Sequence, residues 1–213
     1  MTAPLVIFPI SLSSLWGRTM VTAGHTDGDT MKERQDALFA KIVAAQTQFG
    51  FDLVAEIVRG GLKQNVVLSP FSVAVALAMT ANGADGETRA AMLETLRLRG
   101  LDLGEANRLY QSLVTTLSTA GSGVRLNIAN ALWSNEDAGF YPDFLRACQE
   151  FYDAEVRRAR FGGQETVAAI NAWVSDKTEG KIKEIVVQLS ADTVLVLLNA
   201  IYFWSQWARQ FDP

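Results

Sequence analysis

The segment that most constrains the fold carries the signals of a helix and no charged side chain. Ser69 is a suitable N-cap, and Pro70 fits the first helical position, where a backbone N–H has no partner within the helix. Residues 71–81 then read FSVAVALAMTA, and we expect Asn82 and Gly83 to end the helix with a left-handed residue. A helix that is apolar on every side must be buried on every side. The chain therefore needs a domain of more than two layers, with this helix near its centre.

The length and composition of the chain are sufficient for such a core. It has 213 residues, of which 49% are hydrophobic and 20% charged, whereas disordered chains are poorer in apolar residues and richer in charge. The formal net charge of -4 gives no broad basic surface, so we expect no nucleic-acid partner. No uninterrupted apolar run approaches the roughly 18 residues of a membrane-spanning helix, so we expect no membrane partner either.

Residues suited to catalysis or metal binding are scarce. Cys148 is the only cysteine and His25 the only histidine, which excludes an intramolecular disulfide and a cysteine metal cluster. His25 stands in a Gly/Thr/Asp-rich stretch near the amino terminus, whereas a catalytic histidine needs packed neighbours. We therefore expect no enzyme activity, no catalytic residue, no metal and no cofactor.

The amino-terminal residues differ from the rest of the chain. Residues 5–16 read LVIFPISLSSLW, which is apolar enough for a signal-peptide core, but no Lys or Arg precedes them and Pro4 and Pro9 interrupt the run. We expect residues 1–33 to be a disordered leader or a weak signal segment, with a translation start placed too early as a further interpretation. The folded domain is expected over residues 34–213.

Helices and strands are mixed along the folded part, which predicts an α+β fold. Apolar residues at helical spacing, with capping and stop signals, predict further helices at 32–58, 87–98, 106–117, 142–152 and 167–178. Runs that are β-branched, alternating or continuously apolar predict strands at 65–68, 124–133, 155–161 and 193–203. The charged strand 155–161 suits the edge of a sheet, whereas the strand 193–203 is apolar on both faces and needs cover on both.

Asn199 is the polar exception within the apolar strand 193–203. A buried amide must be hydrogen-bonded, because an unpaired one costs about 1–3 kcal/mol. The residue is interpreted either as a satisfied structural asparagine or as part of a gate or latch.

Three separated segments resemble the serpin family, in the order in which the family has them. Residues 65–96, NVVLSPFSVAVALAMTANGADGETRAAMLETL, are similar to a strand and two helices of serpins. Residues 170–182, INAWVSDKTEGKI, resemble the helix that crosses serpin sheet A, with its Thr-x-Gly-Lys-Ile ending. Residues 193–213, TVLVLLNAIYFWSQWARQFDP, resemble the central strand of that sheet and its exit. The similarity runs almost continuously from about Gln35 to Pro213.

The resemblance implies a serpin-like fold, with amino-terminal helices packed on a partial central sheet A. Serpins are suicide inhibitors of serine, and sometimes cysteine, proteases: sheet A accepts the cleaved reactive-centre loop as a further strand, and the acylated protease is distorted. In the family the reactive loop and the carboxy-terminal barrel follow the segment that ends here at Pro213. We therefore expect the reactive centre to be absent from these 213 residues, and the chain to be inactive alone.

The same resemblance assigns candidate site residues. Ser69, Ser72 and Asn199 match the shutter, a hydrogen-bonded cluster beneath the strands that open. Trp207 matches the tryptophan of the breach, where insertion begins. The helix over sheet A, which must move aside for the incoming strand, supplies the remaining matches, Trp173, Thr178, Gly180 and Lys181. The sequence departs from the family at Trp204-Ser205, where members typically carry Lys-Gly.

Two functions are compatible with this resemblance. The first is a serpin-type inhibitor, with a serine protease, or alternatively a cysteine protease, as the partner of the full-length protein. The alternative is a non-inhibitory fragment, a structural or binding half that needs a complementing segment. Such a half is expected to self-associate, because the strand 193–203 would have an unpaired edge. The family implies an extracellular location, with a cytoplasmic one as the alternative.

Overall fold

The computed structural model describes residues 27–61, 66, 68–119, 123–205 and 207. Within these ranges the chain is α+β. Its helices are α1 (Asp27–Arg59), α2 (Pro70–Ala81), α3 (Gly86–Thr95), α4 (Leu103–Ser118), α5 (Pro142–Tyr152) and α6 (Gln164–Lys177), and its strands are β1 (Val124–Asn135), β2 (Ala154–Ala159) and β3 (Leu195–Ser205). None of the described helices has both the length and the apolar character that crossing a membrane requires.

The strands form one mixed sheet in the order β2-β1-β3. β1 runs parallel to β2 and antiparallel to β3, and the register places Asn130 opposite both Ala154 and Asn199. The charged strand β2 lies at an edge of this described sheet, as the sequence predicts. Asn199 therefore lies in the interior of the β1–β3 ladder, next to a second asparagine.

Apolar clusters cover both faces of the sheet. On one face, Leu195 and Leu197 of β3 pack against a large core formed by α1, α2, α4 and α5. On the other face, Leu198 and Ala200 pack beneath α6. Because neighbouring residues of a strand point to opposite faces, the continuous apolar run of β3 serves two cores. Cover on both faces is confirmed for this part of β3.

Helix α2 begins as the sequence predicts. Ser69 is its N-cap and accepts a hydrogen bond from the backbone N–H of Ser72, and Pro70 takes the first helical position. The buried residues of the helix are Ala74, Val75, Ala78, Met79 and Ala81. Only Val73 is exposed, so the uncharged helix is covered on nearly all sides.

The predicted left-handed end of α2 is wrong. Asn82 has the helical angles φ -69 and ψ -26, and Gly83 is not among the residues of positive φ. The Asn82 side chain instead donates to the carbonyl of Ala78, which satisfies one of the last helical carbonyls. A Cβ at residue 83 would lie 3.2 Å from the ring of Phe144, so the ring would have to shift by a few tenths of an ångström to admit it.

Two other boundaries differ from the predictions. Helix α3 ends at Thr95 rather than at residue 98, because Arg97 adopts a positive φ and the chain turns so that Leu96 and Leu98 both reach the core. The described residues of the predicted strand 65–68, Val66 and Leu68, lie in no strand, and its other residues lie outside the described ranges.

The start of α1 differs from the predicted domain boundary. The helix begins at Asp27, so the predicted boundary between residues 33 and 34 falls inside it. Residues 1–26, which include His25 and most of the predicted leader, lie outside the described residues.

Candidate functional site

The centre of the sheet contains a pair of amides that face the helical core. The Nδ2 of Asn199 on β3 donates to the Oδ1 of Asn130 on β1 over 2.7 Å. Asn130 is buried, and its own Nδ2 donates over 2.7 Å to the backbone carbonyl of Tyr152 at the end of α5. The amide of Asn199, a half-buried residue in an apolar strand, is thus hydrogen-bonded.

Asn130 is not among the predicted site residues, although the pattern of β1 carries a signal for it. Val124, Leu126, Ile128 and Leu132 alternate along one face of β1, and Asn130 occupies the same face. A polar residue at a position where the alternation predicts an apolar one needs a partner, and Asn199 supplies it from the neighbouring strand.

The two predicted shutter serines form a unit of their own at the start of α2. The hydroxyl of Ser72 donates to the Oγ of Ser69 over 2.9 Å, and both side chains are half-buried. α2 packs against β3, but the described hydrogen bonds of Asn199 lead to Asn130 and not to either serine. The predicted cluster is therefore a serine pair and an amide pair on neighbouring elements.

Helix α6 lies across the opposite face of the sheet. Ile170, Trp173 and Val174 are buried and pack with Ala131 of β1 and Leu198 of β3. The resemblance predicts a helix over the sheet at this point, and the described packing agrees with that position.

Two of the predicted site residues, Thr178 and Gly180, cap the carboxy-terminal end of α6. The hydroxyl of Thr178, which is buried, donates to the carbonyl of Val174 and accepts from the N–H of Ile182. Gly180 has φ +74, and its N–H donates to the carbonyl of Ser175. The helix stop predicted at Gly180 is thus confirmed. Lys181 follows on the exposed side of the turn.

Asn171, which is not among the predicted site residues, anchors the segment that follows α6. Its Oδ1 accepts from the N–H groups of Ile185 and Val186, and its Nδ2 donates to the carbonyl of Val186. These bonds hold the irregular segment at Ile185 and Val186 against α6, so the segment and the helix would move together.

The predicted breach residue lies away from the amide pair. Trp207 is 62% exposed and follows the end of β3, whereas Asn199 lies in the middle of that strand. Trp204, which stands where the family typically has Lys, is 45% exposed, and the guanidinium of Arg125 lies 5.9 Å from its ring centroid. A tryptophan can accept this cation over its face, which a lysine could not.

Neither the cysteine nor the carboxylates of the described residues form a reactive thiol or a metal site. Cys148 is fully buried, and its burial raises the pKa of the thiol to about 12, so the reactive thiolate is absent at neutral pH. No group of three or more His, Cys, Asp or Glu side chains within the described ranges could hold a metal ion.

An ion-pair cluster joins the end of α6 to the edge strand β2. One carboxylate oxygen of Glu155 lies 2.8 Å from the Nζ of Lys177, and the other accepts from Arg157 over 2.7 Å. The hydrogen bond from Lys177, with a smaller contribution from Arg157, lowers the pKa of Glu155 from 4.5 to about 2, although desolvation opposes the shift. The ionised carboxylate therefore holds α6 on the sheet at neutral pH.

This cluster predicts a specific pH dependence. Since the folded pKa of Glu155 lies below its ordinary value, its stabilisation is complete above pH 4.5 and is lost as the pH falls towards about 2. We expect Glu155→Gln to lower the free energy of unfolding by about 0.5–1 kcal/mol at pH 7, since the pair is partly exposed. Urea denaturation between pH 2 and pH 7 tests this, and a difference from wild type that stays constant down to pH 2 would contradict it.

Comparisons with known proteins give related sequences and structures. A family model described as Serpin (serine protease inhibitor) matches residues 44–213. The leukocyte elastase inhibitor of Bos taurus is 36% identical over 175 residues, which cover 80% of this chain and 46% of the relative. Serpin B8 of Homo sapiens is 42% identical over 153 residues, with coverages of 70% and 40%. The crystal structure of cleaved kallistatin complexed with heparin has 30% identity and a TM-score of 0.74, and covers 82% of this chain and 52% of that one.

These matches concern one part of the relatives. The chain spans about half the length of the curated relatives it matches. The matched residues include α2, the whole described sheet and α6. The family match over residues 44–213 and the structural likeness agree, and the chain belongs to the serpin family.

Proposed function

We propose that this chain is the part of a serpin-type inhibitor of serine proteases that contains the sheet formed by β1, β2 and β3. The observation that carries the proposal is the position of β3: among the described strands it pairs only with β1, so its other edge is available to a further strand. Membership of the serpin family and the name of the bovine relative, an elastase inhibitor, support the kind of partner.

In this proposal β3 is the strand beside which the cleaved reactive-centre loop inserts. The backbone N–H and C=O groups of residues 195–204 that do not pair with β1 would form the new ladder. The Oδ1 of Asn199 is buried and accepts no hydrogen bond within the described residues, so it could accept one from a group that closes the sheet. Insertion also requires that α6 shifts, because Trp173 packs on the sheet beneath it.

The reactive loop of such an inhibitor would come from a segment outside these 213 residues. A chimera tests this division of roles: the whole 213-residue chain is joined to the remaining carboxy-terminal sequence of human serpin B8. We expect the chimera to form an SDS-stable complex with trypsin or elastase, and the 213-residue chain to form none. Papain serves as the cysteine-protease arm, and trypsin with a blocked active-site serine as the control that cannot be acylated.

The result that would overturn the inhibitory proposal is cleavage of the chimera without a stable complex. A complex formed by the 213-residue chain itself would instead overturn the expectation that this chain lacks the reactive centre.

A second candidate function is a structural or binding half that needs a complementing segment. The observation that favours it is the exposed apolar end of β3, where Phe203 is 54% exposed next to an edge without a described partner. Such an edge pairs readily with another chain. We expect the isolated chain to form oligomers in light scattering, and a monodisperse monomer with a cooperative melt would contradict this.

We propose an extracellular location on the family resemblance alone, with a cytoplasmic location as the alternative. Residues 1–33 fused to a reporter without its own signal test the two. Reporter in the culture medium would support secretion, and complete retention in the cytosol would contradict it.

A further inference from the structure

The hydrogen bonds of the amide pair lead, through the backbone carbonyl and the side chain of Tyr152, to further buried amides of the core, and we call this set of residues the relay. Asn199 donates to Asn130, and Asn130 donates to the carbonyl of Tyr152. The hydroxyl of Tyr152 donates to the Oδ1 of Asn107 over 2.8 Å, and the Nδ2 of Asn107 donates to the Oδ1 of Asn82 over 2.8 Å. Asn107, Asn130 and Tyr152 are each at most 3% exposed, so water competes little for these bonds.

Each member of the relay lies on a different element. Asn82 is the C-cap of α2, Asn107 belongs to α4, and Tyr152 is the last residue of α5. Asn130 and Asn199 belong to β1 and β3. The relay thus connects the end of the central helix with the strand beside which the proposed function places insertion.

Tyr152 is the member that joins the sheet to the helices. As the last residue of α5 it has a backbone carbonyl without a partner in the helix, and Asn130 satisfies it from the sheet. Its hydroxyl is held by Asn107 on α4. Because Asn82 and Asn107 bond each other in both directions, at 2.8 and 3.0 Å, the helical end of the relay has little freedom.

We propose that this relay couples the position of β3 to the packing of α4 and α5 against α2. When Asn199 leaves Asn130, Asn130 loses the partner that orients its amide towards Tyr152. The two ends of the relay therefore open together, and the hydroxyl of Tyr152 acts as a positioning group for a sheet it does not touch. This inference rests on the proposed function in one respect: it takes the movement of β3 during insertion as the step that the relay regulates.

Two buried tyrosines supply a matched pair of variants. Tyr152→Phe removes the hydroxyl within the relay, whereas Tyr110→Phe removes a hydroxyl that bonds Gln46 on α1, outside it. Both side chains are at most 1% exposed, and their rings lie 6.0 Å apart. The two substitutions are therefore alike in chemistry and burial, and differ in whether the lost hydrogen bond belongs to the relay.

Hydrogen exchange of the 213-residue chain, read by mass spectrometry, tests the coupling. We expect Tyr152→Phe to raise exchange in β3 about fivefold, the effect of losing about one net hydrogen bond, and to leave α6 unchanged. Tyr110→Phe should leave β3 unchanged. Equal increases in β3 and α6, or an increase confined to α4 and α5, would overturn the proposal.

If one variant is too unstable for hydrogen exchange, a double-mutant cycle provides a second test of the coupling. The melting-temperature shifts of Tyr152→Phe and Asn199→Ala should sum to more than the shift of the double variant, because both break the same relay. The shifts of Tyr110→Phe and Asn199→Ala should add, and additivity in both pairs would refute the coupling. Neither measurement uses a protease, so a failed relay and a failed inhibitory function give different results.

Discussion

Trp173→Ala is expected to lower the free energy of unfolding by about 3–5 kcal/mol, the range for removing a large buried aromatic side chain. Trp173 is 5% exposed and lies between α6 and the sheet, in one cluster with Trp133, Phe161 and Leu198. The cavity would remove the main apolar contact that holds α6 on the sheet. We therefore expect faster hydrogen exchange throughout Gln164–Lys177, beyond the loss of global stability.

Tyr141→Ala is the control for this variant. Tyr141 is 85% exposed, and its side chain makes no capping hydrogen bond to α5, so its removal should change stability by less than about 0.5 kcal/mol. Urea denaturation of both variants gives the comparison. Similar losses in the two would mean that Trp173 does not hold α6 on the sheet.

Asn130→Ala is expected to cost about 2–6 kcal/mol, because two polar groups lose their partner at once, each at about 1–3 kcal/mol. The groups are the Nδ2 of Asn199 and the backbone carbonyl of Tyr152. The effect should be visible locally as faster exchange at the end of α5, whose last carbonyl would no longer be satisfied.

Asn127→Ala is the matched control, because Asn127 belongs to the same strand, is exposed and faces away from the helical core. Both variants replace an asparagine, which has a poor strand propensity, so the control variant corrects for that contribution. We expect a change within about 0.5 kcal/mol for this variant. Equal melting temperatures for the two variants would show that the Asn130–Asn199 bond adds nothing to stability.

Elements whose signals are local in sequence were predicted well. Ser69 and Pro70 mark the start of α2, and Thr178 and Gly180 mark the end of α6, since each acts on backbone groups a few residues away. The apolar run of β3 likewise implies cover on both faces, whatever supplies it.

Features that depend on distant partners were not predictable in the same way. The bond from Asn199 to Asn130 joins residues 69 positions apart, and the bond from Tyr152 to Asn107 spans 45 positions. The sequence shows that Asn199 needs a partner, but not which residue the register places opposite it. Gly83 was misread for a related reason: its close neighbour, the ring of Phe144, lies far along the chain.

The uncharged helix and the doubly apolar strand thus determined from sequence alone that this protein is a layered α+β domain with a buried α2. Burial follows from composition, because apolar side chains must leave water wherever they are placed. Only the tertiary structure decided how the polar groups inside that core are satisfied. Hydrogen bonds are short and directional, so the relay from Asn82 to Asn199 exists only once the sheet register and the helix packing bring its members within about 3 Å.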